Sequence, residues 1–261
     1  MINNWNSFLM PYEQAVEEIK VKLKSIRKEY RKKNDYSPVE FVTGRVKEVS
    51  SIIEKANKFG IPMDRIGLEL EDIAGIRIMC QFVDDIDTVV EILRARKDMQ
   101  ILYEKDYVRN VKKSGYRSYH VIIKYPVNMA QGPVEILAEF QIRTLAMNFW
   151  ATIEHSLNYK YKQNIPVELK KKLINAAHAA FRLDEEMLEI KDEIKDAQKL
   201  FEIKSDIISN IMSNIQNLYS MGRSSEALRF EKSVNKLVET GEVWELNNLL
   251  YSIKKEIEKY N

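Results

Sequence analysis

The run from Val134 to Arg143 constrains this chain more than any other stretch. Val134, Ile136, Ala138, Phe140 and Ile142 alternate there with Glu135, Leu137, Glu139, Gln141 and Arg143. Successive side chains of a strand point to opposite faces, so a period of two predicts a strand with one apolar, core-facing side. Its other side carries carboxylate, amide and guanidinium. A half-exposed strand with a solvated polar face satisfies the same pattern, and the neighbouring sequence argues for more. Lys112-Lys113-Ser114-Gly115-Tyr116-Arg117-Ser118-Tyr119-His120 is a Gly-containing loop that offers cations, aromatic rings and an imidazole, and a further strand-like run follows it. A carboxylate facing such a loop suits a phosphate ester reacting beside a metal ion.

The totals set the outer limits. A chain of 261 residues, 45% hydrophobic, holds enough apolar material for one large domain or two small ones. Its 41 Lys and Arg nearly balance 39 Asp and Glu, giving +2, so net charge does not announce a nucleic-acid binder. The basic residues do cluster, from Lys20 to Lys33 and from Lys105 to Arg117, and a local cluster says more about an anionic ligand than the sum does. The single cysteine, Cys80, excludes an internal disulfide framework and, set among Ile76, Ile78, Met79 and Phe82, reads as a buried small hydrophobe. With only His120, His155 and His178 beside it, no zinc site is expected. No apolar run approaches the ~18 residues of a membrane span, and the N-terminus lacks the layout of a signal peptide. The expectation is a soluble, cytoplasmic protein with no membrane partner.

Trp5 to Tyr30 is predicted to be an amphipathic helix, with Lys20, Lys24 and Arg27 sharing one face. Asn34 to Pro38 breaks it, and Val39 to Lys47 is an extended segment or loop. A second helix starts near Ser50 or Ser51, either of which could cap it, with Ser51, Lys55 and Lys58 on one face; such a start favours phosphate, although caps and surface lysines are common. Gly60-Ile61-Pro62 ends it. Asp72 then stands at the mouth of a strand running to Cys80, and Arg77 lies inside that apolar run, which is costly unless its charge finds a partner. A helix from Val83 to Arg94 and a strand from Gln100 to Val108 lead to the basic loop, and Leu145 to Tyr161 is a helix bearing Asn148, Trp150, Glu154 and His155. Val167 to Met221 contains neither Gly nor Pro. Leu183, Met187, Ile190, Ile194, Ala197, Phe201, Ile208, Ile211, Ile215 and Leu218 keep the three-and-four spacing of a coiled-coil seam, with Lys204 its one polar position, which predicts a long helix, or two nearly collinear ones, packing on a partner. Ser224 to Glu239 and Val243 to Lys259 form a helical hairpin about Thr240-Gly241. The mixture of strands and helices predicts an α+β catalytic core over roughly 40–165.

No Walker A pattern and no kinase-type Gly-rich loop is present, so phosphoryl transfer from ATP would need a fold such as the nucleotidyltransferase type. Asp72-Ile-Ala-Gly-Ile-Arg77, Lys112-Lys-Ser-Gly-Tyr116-Arg-Ser-Tyr-His120, Glu139-Phe-Gln-Ile-Arg143-Thr144 and Met147-Asn-Phe-Trp-Ala-Thr-Ile-Glu-His155 together resemble the (p)ppGpp synthetase domain. With Phe41-Val-Thr-Gly-Arg45-Val-Lys47 in front, the chain is most similar to the small, single-function alarmone synthetases of the RelQ type, over roughly residues 5–200. The resemblance implies a nucleotidyltransferase-like mixed sheet flanked by helices, a synthetase domain over 1–200 and a helical C-terminal extension over 201–261. It implies transfer of the β,γ-pyrophosphate of ATP to the ribose 3′-OH of GDP or GTP, GMP being a further acceptor, with Mg²⁺. By motif position, Asp72 and Glu139 would hold the metal, and Glu139 would act as base toward the 3′-hydroxyl. Arg45 and Arg77 would sandwich adenine, with Lys47, Ser51, Lys55 and Lys58 on the ATP phosphates. Tyr116 would stack on guanine and Asn148 read its edge, while Lys112 and His120 meet acceptor phosphates and Gln141, Arg143 and Glu154 shape that pocket. His155 reads as structural support. Hydrolysis is not expected: the long relatives' hydrolase domain uses a His-Asp pair, and neither that dipeptide nor room for the domain is found here. In the RelQ type a homotetramer binds pppGpp as allosteric activator, at positions matching Lys20, Lys24, Arg27, Glu40, Phe41 and Thr43. The tail beyond about residue 200 exceeds that of the compact relatives. A module binding single-stranded RNA, with catalysis secondary or lost, is the competing reading; Asp72, Arg77, Tyr116 and Glu139 together argue against a dead enzyme.

Overall fold

The computed structural model describes residues 4–160 and 166–259. Helix α1 (Trp5–Lys32) opens it, with Asn4 capping through a bond from the Ser7 amide. Its buried Leu9, Tyr12, Val16, Ile19 and Leu23 recur every three or four residues, so one stripe faces inward. There follow β1 (Phe41–Val46), α2 (Val49–Phe59), a 3₁₀ turn over Met63–Arg65 running into the single turn α3 (Ile66–Glu69), β2 (Ala74–Cys80) and α4 (Asp84–Arg94). Then come β3 (Gln100–Asp106), β4 (Tyr119–Met129), β5 (Gly132–Thr144), α5 (Leu145–Lys160), α6 (Val167–Ser220), α7 (Ser224–Thr240) and α8 (Val243–Glu258). The expected end of α5 at Tyr161 lies outside the described residues.

The five strands form one sheet in the order β1-β2-β5-β4-β3. β2 and β5 are parallel and the other pairs antiparallel, which makes the sheet mixed and the architecture α+β. One face is apolar: Ile76, Ile78, Ile136, Ala138, Phe140, Ile142, Val121 and Ile123 are buried there with the stripe of α1 and with Ile86, Val89, Val90 and Leu93 of α4. Cys80 lies in this core, where burial pushes its thiol well up and leaves it an inert hydrophobe. The opposite face of the same strands carries the polar residues. The alternation in β5 is therefore as its sequence indicates, except that Val134 at the strand's outer end is exposed.

The capping expectation for α2 is corrected. Glu48 occupies the cap position without a side-chain cap bond, and Ser50 and Ser51 sit inside the first turn. A cap residue must keep non-helical backbone just before the first helical residue, and the short turn out of β1 places that position ahead of both serines.

Contacts divide the chain into two compact units, Met1–Leu188 and Glu189–Asn261. In the first, the N-terminal part of α6 packs beside the basic loop: Trp150, Ala151 and Ala177 bury together, Trp150 Nε1 donates to the Leu173 carbonyl at 2.8 Å, and the Arg117 guanidinium lies 3.6 Å from the centre of the Phe181 ring. In the second, Ile211, Ile215 and Leu218 of α6 pack against Ala227, Phe230 and Val234 of α7 and Leu246 and Ile253 of α8. The seam of α6 thus finds its cover in part within the same chain, which corrects the expectation of a separate partner along its whole length. Leu183, Met187, Ile190, Ile194 and Phe201 remain exposed. Gly222, at φ +75°, ends α6 in the left-handed conformation that glycine tolerates best. Among the described residues no helix is long and apolar enough to cross a membrane.

Candidate active site

Strand register builds the site on the polar face. Thr43 of β1 pairs with Arg77 of β2, Arg77 with Gln141 of β5, Gln141 with His120 of β4, and His120 with Lys105 of β3, a polar row across the whole sheet. In the next row Arg45 pairs with Gly75 and Gly75 with Glu139. Gly75 contributes no side chain, so a gap opens between Arg45, Arg77 and Glu139. Arg45 and Arg77 are diagonal neighbours, roughly 7 Å apart in such ladders, about the separation of two flat groups with a planar base between them.

The gap is one lobe of about 230 Å³, lined by Thr43, Gly44, Arg45, Lys47, Asp72, Gly75, Arg77, Glu139 and Gln141. A larger lobe of about 630 Å³ shares Arg45, Lys47, Asp72, Arg77 and Gln141 and extends to Tyr116, Arg143 and the α5 residues Thr152, Glu154 and His155. Two spaces with a common wall, Asp72 in it, therefore meet on this face.

Asp72 sits just before β2. Lys47 and Lys55 both reach its Oδ2, at 2.8 and 2.7 Å, while Oδ1 is buried without a hydrogen-bond partner. Burial pushes its carboxyl up, but the two lysines outweigh that and hold it below the usual range. Glu139 behaves likewise: burial raises it, and bonds from His120 and Gln141 bring it below normal, with the Asp72 charge opposing. The site thus offers two ionised carboxylates, one with an open buried oxygen. Among the described residues no third acidic, His or Cys ligand joins them. That donor set fits a hard divalent cation that takes one or two protein carboxylates and completes its shell with phosphate oxygens and water.

Behind the cleft five side chains close a ring of hydrogen bonds. Glu139 Oε1 meets His120 Nδ1 at 2.7 Å, and His120 Nε2 meets the Tyr116 hydroxyl at 2.8 Å. Arg143 Nη2 donates to that hydroxyl at 2.6 Å and to Gln141 Oε1 at 2.8 Å, and Gln141 Nε2 returns to Glu139 Oε2 at 2.7 Å. Arg143 is buried, and its Nε is held by Ser118 at 3.2 Å. Lys112 places its ammonium over both Tyr107 (4.2 Å to the ring centre) and Tyr116 (4.8 Å), where burial lowers it. Arg77 is lowered by burial first and then by Arg143 and Arg45. The cleft is a cluster of cations around two anions.

Of the residues singled out in the sequence, Arg45, Lys47, Asp72, Arg77, Tyr116, Glu139, Gln141, Arg143 and Glu154 line the two lobes, and Lys55 joins them through Asp72. His120 is buried behind Glu139 with both ring nitrogens engaged. Ser51 and Lys58 stay on α2 and do not line either lobe. Asn148 lies one turn before Thr152, its Oδ1 buried without a partner. On α1, Lys24 is exposed, Lys20 pairs with Glu17 and Arg27 with Glu40 at 2.7 Å. Gly44 faces that helix: a Cβ there would stand 2.7 Å from Val16. Thr43 points to the other face and lines the smaller lobe, as alternation along β1 requires. Tyr107, whose ring meets Tyr116 and His120 edge-on, was not found from sequence; one aromatic after a strand carries no periodic signal.

Carboxylates on a strand and at the mouth of its neighbour, among fixed cations and beside paired lobes on a mixed sheet, define a phosphoryl-group transferase. Residues 44–164 match the family described as the region found in RelA / SpoT proteins. The chain is 58% identical over 200 residues to the GTP pyrophosphokinase YjbM of Bacillus subtilis, covering 77% of this chain and 94% of that protein. The crystal structure of small alarmone synthetase 1 from B. subtilis bound to its product pppGpp superposes with a TM-score of 0.71 at 59% identity, over 73% of this chain and 97% of that one. The same enzyme bound to AMPCPP gives 0.66 at 55% identity, over 74% and 98%. The chain belongs to the GTP pyrophosphokinase family, among its small alarmone synthetases.

Proposed function

We propose that the chain transfers the β,γ-pyrophosphate of ATP to the ribose 3′-OH of GDP or GTP, making (p)ppGpp for the stringent response without a hydrolase activity. The observation that carries this is the shared wall: Asp72, Arg77 and Gln141 line both lobes, and Glu139 stands beside them. A donor and an acceptor nucleotide would meet there. The gap above Gly75, flanked by Arg45 and Arg77, suits adenine, since planar guanidiniums stack on flat rings. Lys47 and Lys55 suit the triphosphate. Tyr116 would stack on guanine, with the unpartnered Asn148 Oδ1 available to a base N–H.

A ribose hydroxyl is a weak nucleophile until a base takes its proton. As its oxygen bonds to the β-phosphorus of ATP, the bond from that phosphorus to the α-phosphate oxygen breaks, AMP leaves, and the hydroxyl proton passes to the Glu139 carboxylate. Lys47 and Lys55, held beside Asp72 by their ion pairs, would stand where charge gathers on the transferring group, so they need little reorganisation during the step. Asp72 and Glu139 would hold Mg²⁺, which when bound offsets the repulsion between two polyphosphates. The exposed stretch of α6 and the α1 cations suit a homo-oligomer with a pppGpp site at Lys20, Lys24, Arg27, Glu40, Phe41 and Thr43. The test incubates purified protein with γ-labelled ATP, Mg²⁺ and GMP, GDP or GTP, with and without pppGpp. Label on the guanosine nucleotide with AMP as co-product supports the reading. No transfer from folded protein refutes it.

A further inference from the structure

The proton directions in the ring behind Glu139 are determined by its chemistry. A guanidinium only donates, so the Tyr116 oxygen accepts from Arg143, while its own proton has both Ser118 and His120 Nε2 beside it. The ionised Glu139 only accepts, so Nδ1 of His120 carries a proton and donates it to Oε1 at 2.7 Å, whichever way the Tyr116 proton turns. Gln141 has the same logic: its oxygen accepts from Arg143 and, at 3.3 Å, from Arg77 Nε, so its amide N–H faces Glu139 Oε2. Each oxygen of Glu139 thus meets one donor of fixed direction. His120 is only 7% exposed and lines neither lobe, so in this arrangement it serves the carboxylate rather than the cleft.

We infer that His120 is a positioning residue for the base: its Nδ1–H fixes the Glu139 carboxylate toward the acceptor hydroxyl, and the Tyr116 hydroxyl anchors the other edge of the ring. The inference rests on the pyrophosphate-transfer reading. It adds a link between the two functions of Tyr116, whose ring faces the acceptor lobe while its hydroxyl sets the imidazole behind the base. A ring carbon or an empty space at His120 leaves Oε1 without its donor and Glu139 free to turn.

The test compares His120→Ala, His120→Asn and His120→Gln with the parent protein, each first checked for an unchanged melting temperature. An Asn amide N–H falls where Nδ1–H stands, whereas a Gln amide reaches the Nε2 position. The alanine variant is expected to lose at least ~10-fold in kcat, with KM for ATP within about twofold, because orientation of a base acts on the chemical step. Asn should recover most of that loss and Gln should not. Wild-type kcat in the alanine variant, a loss confined to the acceptor KM, or Asn no better than Gln would each overturn the inference. A second readout is independent of turnover: ¹⁵N NMR of the imidazole should show a protonated Nδ1 in the parent protein. If the parent protein makes no product, the transfer reading fails, and that signal decides alone; a bare Nδ1 refutes positioning and a protonated Nδ1 supports it.

Discussion

Replacing Asp184 by asparagine should stabilise the protein, and only above a defined pH. Asp184, on α6, is 4% exposed and accepts a bond from the Thr144 hydroxyl at 2.6 Å. That hydroxyl accepts in turn from the Met147 amide at 3.1 Å, so one oxygen caps α5 and ties it to α6. The charged groups that bear on the pair are Arg117, which lowers the Asp184 pKa, and Glu185, which acts on Arg117. Burial dominates and pushes the carboxyl from 3.8 up to about 6, against the Thr144 bond and Arg117. An acid raised in the folded state binds its proton more tightly there than in the unfolded chain. The stability this contributes is complete below the unfolded pKa near 4 and is lost as pH rises through about 6. A shift of about two pH units, at ~1.4 kcal/mol each, makes the ionised form cost up to about 3 kcal/mol at pH 8. Asparagine keeps the acceptor oxygen for Thr144 and carries no charge. Urea unfolding at pH 8 should therefore show Asp184→Asn about 1–3 kcal/mol more stable than the parent, with the advantage reduced to about a third near pH 4.5 and gone near pH 3. A variant less stable at pH 8, or an advantage equal at pH 8 and near pH 3, refutes the reasoning; the first outcome would mean that the Arg117 attraction outweighs burial.

Three further outcomes follow from the site. Glu139→Gln should fold normally and lose roughly 10²–10⁴-fold in kcat, measured as label transferred from γ-labelled ATP, because the amide cannot accept the hydroxyl proton. Gly115→Ala should destabilise the loop by about 2 kcal/mol or more in thermal unfolding, since Gly115 has φ +88° and a Cβ would stand 2.6 Å from that of Ala177. It should also raise the acceptor KM. Arg77→Met should raise KM for ATP by roughly 10-fold or more yet leave the nucleotide-free protein no less stable, because Arg77 is already burdened by burial and by Arg143 and Arg45; a fall in its melting temperature without ligand would contradict this.

What could be read from the sequence was local. The period of two in β5 and the stripe of α1 follow from where successive side chains point, so the apolar and polar faces were legible residue by residue. The stops at Gly60 and Gly222 were legible because each residue adopts a positive φ that terminates a helix. Pairing was not. Arg77 and Gln141 lie 64 residues apart, and nothing near either one records that they share a row of a parallel ladder. The same holds for Thr144 and Asp184, whose buried bond joins residues that show no shared pattern. The seam of α6 was visible as a stripe in need of cover, but spacing alone does not say which surface covers it, and for Ile211 to Leu218 the answer was the hairpin that follows. The caps proposed at Ser50 and Ser51 failed for a related reason, because cap position depends on where the preceding strand lets go.

The placement of charge explains why the site is built on strands rather than loops. Arg77 and Arg143 carry guanidiniums on a sheet face that also packs α5, and Arg143 is buried with only neutral oxygens as hydrogen-bond partners. Repulsion among Arg45, Arg77 and Arg143 would drive flexible side chains apart into solvent. A ladder prevents this, because register fixes each Cβ, and the bonds of Gln141, Tyr116 and Ser118 hold the guanidiniums of Arg77 and Arg143. The cost of holding like charges together is thereby built into the folded state and is offset when an anion enters between them. A polyphosphate satisfies the cations that Asp72 and Glu139 alone do not balance. The crowded arginines, the open oxygen of Asp72 and the bonded ring behind Glu139 are thus three consequences of one arrangement, a sheet face folded around a ligand more negative than itself.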